Sequence, residues 1–272
     1  MFLGYFIGLL VGVILGLLGG GGSLLVVALY YLIGIRPIGL ASAYITILVG
    51  ITALFGVIPR IKRKEVDWQT AVALGLPVTA GALLVRLWLI DVIPDVLFTV
   101  GSVDVTKKMF VLLLVASLLL LSFATMVGLI GKNIKSKANL RNERPIVYYA
   151  ALAICGLVIG ILPAFSGAGG GVLIVPLLVI FFGLPIKTVV GTCLAIVMVK
   201  SFVGFFAGDL VRLGGTVDYP FLGKFAAVMI VGAWIGSRLS QVVDAERLKK
   251  IFAWFLLGLA IFIFINEVFN AT

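Results

Sequence analysis

Residues 147–184 read VYYAALAICGLVIGILPAFSGAGGGVLIVPLLVIFFGL, an uncharged run broken in the middle by Gly167-Ala168-Gly169-Gly170-Gly171. The part before the break, 147–166, is long enough as a helix to cross a hydrocarbon core of about 30 Å. The arm after it, 172–184, would reach only about 20 Å at 1.5 Å per residue. A glycine in a helix interior costs roughly 1 kcal/mol relative to alanine, so a run of them at membrane depth predicts a broken or re-entrant element. Residues 2–35, FLGYFIGLLVGVILGLLGGGGSLLVVALYYLIGI, repeat the design: 2–18, then Gly19-Gly20-Gly21-Gly22, then a short arm at 23–35.

The rest of the chain fits the same solvent. Of 272 residues, 62% are hydrophobic and 12% charged, with a mean hydropathy of +1.29. Soluble domains have about 45–50% apolar residues and about 25% charged ones, so an ordinary cytosolic or secreted protein is excluded. Six further segments have spanning length: 38–58, 69–90, 108–131, 188–207, 219–238 and 251–268. The expected fold class is an all-α polytopic membrane protein. The apolar N-terminus lacks a basic region before it and reads as a retained span, not a cleaved signal.

Basic residues set the expected sidedness. Arg60, Lys62, Arg63 and Lys64 form one cluster, Lys132, Lys135, Lys137, Arg141 and Arg144 a second, and Arg238, Arg247, Lys249 and Lys250 a third. All three are assigned to the cytoplasm by the positive-inside rule, and the loops at 91–106 and 208–218 to the outside. Span 38–58 then runs inward and 188–207 outward, so corresponding pieces of the two halves face opposite ways. The reading is of two inverted-topology repeats, 1–131 and 147–272, joined by a basic linker at 132–146. Each repeat has a glycine-broken first element and three spans, and both termini lie outside an inner membrane. Self-similarity agrees: Gly22 to Gly34 and Gly171 to Gly183 have the same spacing, and Gly8 and Gly12 answer to Gly156 and Gly160.

Composition also removes several chemistries. With no histidine there is no imidazole ligand, base or proton relay. Cys155 and Cys193 both lie in apolar stretches, which suggests neither a disulfide framework nor a thiolate metal site. The net charge of +10 is accounted for by membrane orientation, so no nucleic-acid partner is expected, nor any cofactor. A membrane-embedded enzyme lacks paired mid-membrane acids, and a non-transporting scaffold leaves a lysine within a span unexplained.

That lysine, Lys200, lies inside span 188–207, and such a residue is expected to face a wet cavity or to snorkel. All eleven acids fall in loops or at span ends. The glycine ridge Gly4, Gly8, Gly12 and Gly16 has the spacing of close helix packing. The breaks are the candidate site, because unwound backbone is tolerated only where it is buried or lines a cavity, and paired discontinuous helices mark transporter sites. The candidate substrate-binding residues are Gly20, Gly21, Gly22, Ser23 and Tyr44 in the first half. In the second they are Ser166, Gly169, Gly170, Gly171, Thr192, Cys193, Lys200 and Ser201. Hydroxyls here either donate to an oxyanion or bond back to their own helix.

At these residues the chain resembles the sulfite exporter TauE/SafE family, also called toluene-sulfonate uptake permeases. The likeness is carried by Ser166-Gly167-Ala168-Gly169-Gly170-Gly171, Val175-Pro176, Gly183-Leu184-Pro185 and Val190-Gly191-Thr192-Cys193-Leu194, with Gly16-Leu17-Leu18-Gly19-Gly20-Gly21-Gly22 in the first half. Cys193 departs from the family's usual Gly-Thr-Ser-Leu, and Val27 stands where a proline is expected. The resemblance implies a secondary transporter of sulfite, sulfoacetate or related organosulfonates, and the paired inverted halves suggest alternating access by one half rocking against the other. The partners expected are such a small anion, the lipid bilayer and, as one option, a second copy in a homodimer.

Overall fold

The computed structural model describes residues 2–20, 38–89, 96–100, 103–128, 145–165, 171–209 and 218–271. The short arm at 23–35, most of the linker and all of the second glycine run before Gly171 lie outside these residues. Six described helices are long and apolar enough to cross a membrane: Ser42–Lys62, Met109–Val127, Pro145–Ala164, Ile186–Asp209, Tyr219–Val242 and Ala245–Ile265.

In chain order the helices are α1 (Phe2–Leu18), α2 (Ile38–Lys62), α3 (Trp68–Leu84), α4 (Lys107–Val127), α5 (Pro145–Phe165), α6 (Gly171–Pro176), α7 (Ile186–Gly204), α8 (Tyr219–Val242) and α9 (Ala245–Ala271). π-helical turns extend α3 to Leu89, α6 to Phe181 and α7 to Asp209. The expected 69–90 span is therefore a shorter α-helix completed by a wider turn. A two-stranded antiparallel ribbon, β1 (Val96–Val100) and β2 (Val103–Thr106), sits in the connection before α4 and pairs Val100 with Val103 and Thr99 with Asp104. It lies between spans, and the class remains helical. Helix α9 begins six residues before the expected 251 because Leu248 is fully buried and its N–H closes on the carbonyl of Asp244 at 2.9 Å.

Glycines decide how the helices meet. A Cβ at Gly12 or Gly16 would overlap the carbonyl oxygen of Met229 or Ala233, and one at Gly232 or Gly236 that of Leu9 or Val13. Only hydrogen atoms fit between α1 and α8, so their backbones touch, as small residues allow in lipid. Elsewhere in the bundle a Cβ at Gly160 would overlap the carbonyl of Val78, and one at Gly81 or Gly156 would come to 2.8 Å from that of Leu157 or Leu74. That is the same device on α3 and α5. Each glycine-broken element thus packs on a helix of the other half.

These registers also fix direction. Gly8, Gly12 and Gly16 advance along Phe225, Met229 and Ala233, so α1 and α8 run parallel; Gly156 and Gly160 advance along Leu74 and Val78, so α3 and α5 do as well. Gly50 meets Ser201 while Gly56 meets Leu194, which makes α2 and α7 antiparallel. Elements α1, α2 and α8 run one way, and α3, α5 and α7 the other.

Candidate functional site

The first break is built by Gly19. Its φ of +73° is left-handed and its N–H reaches the carbonyl of Leu15 at 2.8 Å, so it ends α1 as a glycine C-cap does. A side chain there would be strained and would meet the Val190 carbonyl at 2.9 Å. Beyond it, Gly20 packs on the backbone of Gly171 and Val172, a Cβ finding Val172 Cα at 3.2 Å. The end of α1 and the start of α6, far apart in sequence, meet here backbone to backbone.

Cys193 lies between them. Fully buried on α7, its Sγ is 3.0 Å from the Gly19 carbonyl and 3.4 Å from that of Gly171. A thiol has one proton, so it donates to one of these carbonyls at a time. It joins the last turn of one broken element to the first residue of the resumed helix of the other. Lys200 is seven residues further along α7, two turns on and on the same face, and is half-buried. Ser201, buried, packs its Cβ about one methyl group from the backbone of Gly50, where a Cβ would meet it at 3.1 Å.

The hydroxyls of Tyr44 and Thr192 serve as acceptors from backbone N–H groups. The Tyr44 hydroxyl accepts from the Asp218 N–H at 2.8 Å, and Thr192 Oγ1 accepts from the Asp67 N–H at 3.0 Å. Asp218 and Asp67 are themselves the N-caps of α8 and α3, taking the N–H groups of Phe221 at 3.0 Å and Thr70 at 3.3 Å. Each hydroxyl therefore anchors the start of a helix belonging to the other half. Beside Thr192, the carbonyl of Glu65 would overlap any Cβ on Gly191, so the α2–α3 turn is seated directly on α7. Thr46 and Thr52 take the other expected course and bond back to the carbonyls of Ser42 and Leu48. Of the remaining candidates, Gly21, Gly22, Ser23, Ser166, Gly169 and Gly170 lie outside the described residues.

Burial separates Arg60 from the rest of its charge cluster. Arg60 does not join the exposed Lys62, Arg63 and Lys64; its side chain is 1% exposed. Nη2 donates to the carbonyl of Gly16 at 3.0 Å and to Ser240 Oγ at 2.9 Å. Nη1 donates to Glu65 Oε2 at 3.3 Å and, more weakly, to the Lys187 carbonyl at 3.5 Å. Gly16 is in the last turn of α1, whose carbonyls have no intrahelical partner and carry the negative end of the dipole. A buried guanidinium satisfies that end where lysines in the turn cannot reach. The signal was available: Val49, Ala53, Val57 and Arg60 lie on one helical face and all are buried.

Among the described residues no group of three acidic or cysteine side chains is placed to hold a metal ion. The site is a set of backbone carbonyls, amides and hydroxyls between apolar helices, with a half-buried ammonium on one side and a buried guanidinium at the α2–α3 end.

The family profile described as sulfite exporter TauE/SafE matches residues 4–263. A probable membrane transporter protein of Haemophilus influenzae is 35% identical over 128 residues, 44% of this chain and 46% of that protein. A probable membrane transporter protein of Xylella fastidiosa (strain Temecula1) is 28% identical over 93% of this chain and 91% of its own length. The probable membrane transporter protein YunE of Bacillus subtilis is 25% identical over 90% and 88%. No solved structure matches the chain. With the profile covering nearly every described helix, and with the end of α1 meeting the start of α6 among apolar spans, the chain is a multi-pass membrane transporter, not an enzyme, and belongs to the sulfite exporter TauE/SafE family.

Proposed function

We propose that this transporter is a secondary permease for small sulfur-containing oxyanions, such as sulfite, sulfoacetate or another organosulfonate, working by alternating access in an inner membrane. The observation that carries the reading is the meeting of Gly20 with Gly171 and Val172 beside Cys193. Two discontinuities brought together inside a bundle are the usual architecture of a transporter site. The substrate-binding set we propose is Gly20, Gly21, Gly22, Ser23, Tyr44, Ser166, Gly169, Gly170, Gly171, Thr192, Cys193, Lys200 and Ser201, with Lys200 supplying positive charge. Tyr44 and Thr192 would act through the helix starts they hold, and the glycine backbone through its amides.

The inverted repeat belongs to the same proposal. It is supported by the opposed directions of α1 and α5, of α2 and α7, and of α3 and α8, and by the parallel anchoring of Asp218 on Tyr44 and Asp67 on Thr192. The cytoplasmic side would be the α2–α3 end, with the linker at 132–146 there and both termini outside. The glycine seams bear on the motion. Since α1 is locked to α8 and α5 to α3, moving one sequence half against the other would break both seams. The bodies that rock are instead α1 with α2 and α8 against α3 with α5 and α7, meeting at Cys193.

The test is flux into liposomes of sulfite, thiosulfate and sulfoacetate by the wild type and by Lys200→Met. Saturable uptake of at least one anion is expected, with its half-saturation concentration raised roughly tenfold by the substitution, the equivalent of about 1.4 kcal/mol. Absence of flux for every anion, in protein that remains folded, would remove the permease reading. Unchanged half-saturation in Lys200→Met would remove only the lysine's role.

A further inference from the structure

We propose that the α2–α3 end of the bundle holds a second oxyanion site, centred on Arg60 and Ser237, for which the Glu65 carboxylate is a built-in competitor. The inference deepens the permease reading and rests on it for the class of ligand. Four of the five guanidinium N–H groups are used, by Gly16, Ser240, Glu65 and Lys187. The fifth, on Nε, is buried and has no partner. Ser237 Oγ, on a side chain 1% exposed, is likewise buried and unpaired. Ser237 stands one turn before Ser240 on α8, on the face whose Ser240 hydroxyl lies 2.9 Å from the guanidinium. Two buried unused donors, one on a cation and the other one helical turn from a serine that touches it, ask for the same thing: an acceptor oxygen with negative charge. Buried polar atoms left open in a folded protein call for a water or a ligand, and a guanidinium fork fits a planar or tetrahedral oxyanion with two bonds.

The surroundings favour an anion. Arg60 and Lys187 bring two positive charges, the latter with its Nζ 3.4 Å from the Gln241 carbonyl. Glu65 brings one negative charge, so the cluster is a net cation. The Glu65 contact is long at 3.3 Å and its side chain is 20% exposed, whereas that of Arg60 is 1% exposed. Such a carboxylate can leave for solvent while the guanidinium stays. An arriving sulfonate would take the place of Glu65 on Nη1, or the open Nε with the Ser237 hydroxyl, and keep the buried charge neutralised. Its position also suits a way station: Arg60 joins α1, α2 and α8 on one side to the α7 backbone on the other.

The test avoids Arg60 itself, whose removal would unpin three helices. Full-length protein in detergent is titrated with sulfoacetate, and affinity is read from the rise in melting temperature, in wild type, Glu65→Gln and Ser237→Ala. Glu65→Gln should bind roughly tenfold more tightly, because the competitor is gone. Ser237→Ala should bind roughly five- to tenfold more weakly, the loss of one hydrogen bond to a charged group, while melting without anion at or above the wild-type temperature, because an unpaired hydroxyl has been removed. A merely structural serine, or one bonded to water, would leave affinity unchanged. If sulfoacetate crosses liposomes but neither variant shifts its affinity, the Arg60 site is overturned and the permease reading stands. If Glu65→Gln tightens and Ser237→Ala weakens anion binding while no variant transports the anion, the site stands and the permease reading falls. No stabilisation of either wild type or Glu65→Gln overturns the site.

Discussion

The two ends of the bundle use one fastening and surround it differently. At one end the Asp218 N–H, at the start of α8, is held by the Tyr44 hydroxyl of α2; at the other the Asp67 N–H, at the start of α3, is held by Thr192 of α7. In both an aspartate caps the helix while its backbone is tied to the other half. Around Tyr44 the fastening opens to water: Asp218 is exposed, and Tyr44 stacks on Phe221 with ring centroids 5.8 Å apart. Around Thr192 it is closed. Glu65 sits on Gly191, and the nearby Arg60 draws the end of α1 and the side chain of Ser240 into one hydrogen-bonded group. The lesson is that similar local devices acquire different strength from what covers them, since a hydrogen bond that water can replace is worth less than one it cannot.

The most severe way to break the comparison is Arg60→Gln. Removing one partner from a buried charged group costs about 3–5 kcal/mol, and here leaves the Gly16 carbonyl unpaired as well. We expect melting in detergent to fall sharply, and to fall far less for Lys62→Gln, whose side chain is exposed. Equal effects would show that the two ends do not differ in the way described. Next comes Gly16→Ala on the α1–α8 seam. Overpacking commonly costs about 1–3 kcal/mol, and contact with a backbone carbonyl places this position at the upper part of that range. Gly81→Ala, with 2.8 Å to the Leu157 carbonyl, should be milder. A reversal of that order in melting temperature would mean that the second seam is the tighter one.

The finest test compares the fastenings directly. Thr192→Val keeps shape but leaves the Asp67 N–H without its acceptor in a closed site, a loss of about 1–3 kcal/mol for a buried donor. Tyr44→Phe leaves the Asp218 N–H near solvent, where water substitutes, so about 0.5–1.5 kcal/mol is expected, the net worth of one hydrogen bond. Their ratio, from parallel denaturation curves, sharpens or dissolves the contrast between the ends.

Much of the candidate site could be read before any coordinates. The glycine runs point to where α1 ends, at Gly19, and to where α6 begins, at Gly171, because glycine in a lipid-buried helix is explicable only by bending or close approach. The four-residue glycine ridge forecast a tight seam, and Gly12 and Gly16 supply it. The burial of Arg60 is invisible to a count of charges, which ignores the helical face each one occupies. Thr192 and Tyr44 stand among the candidates read from the sequence, whereas for their partners, Asp67 and Asp218, the sequence says only that acids lie in loops or at span ends. Nothing local to either sequence position says that they meet.

The sequence by itself determined the solvent, most of the spans and the small residues that permit backbone contact, because apolar length and glycine placement act along one segment at a time. Only the tertiary structure decided which helices share those contacts, that Cys193 stands between the carbonyls of Gly19 and Gly171, and that Arg60 turns inward while Lys62 does not. Those outcomes depend on partners 22 to 180 residues away in the chain. The free energy of burying a charge or a thiol is set by the groups that surround it in space.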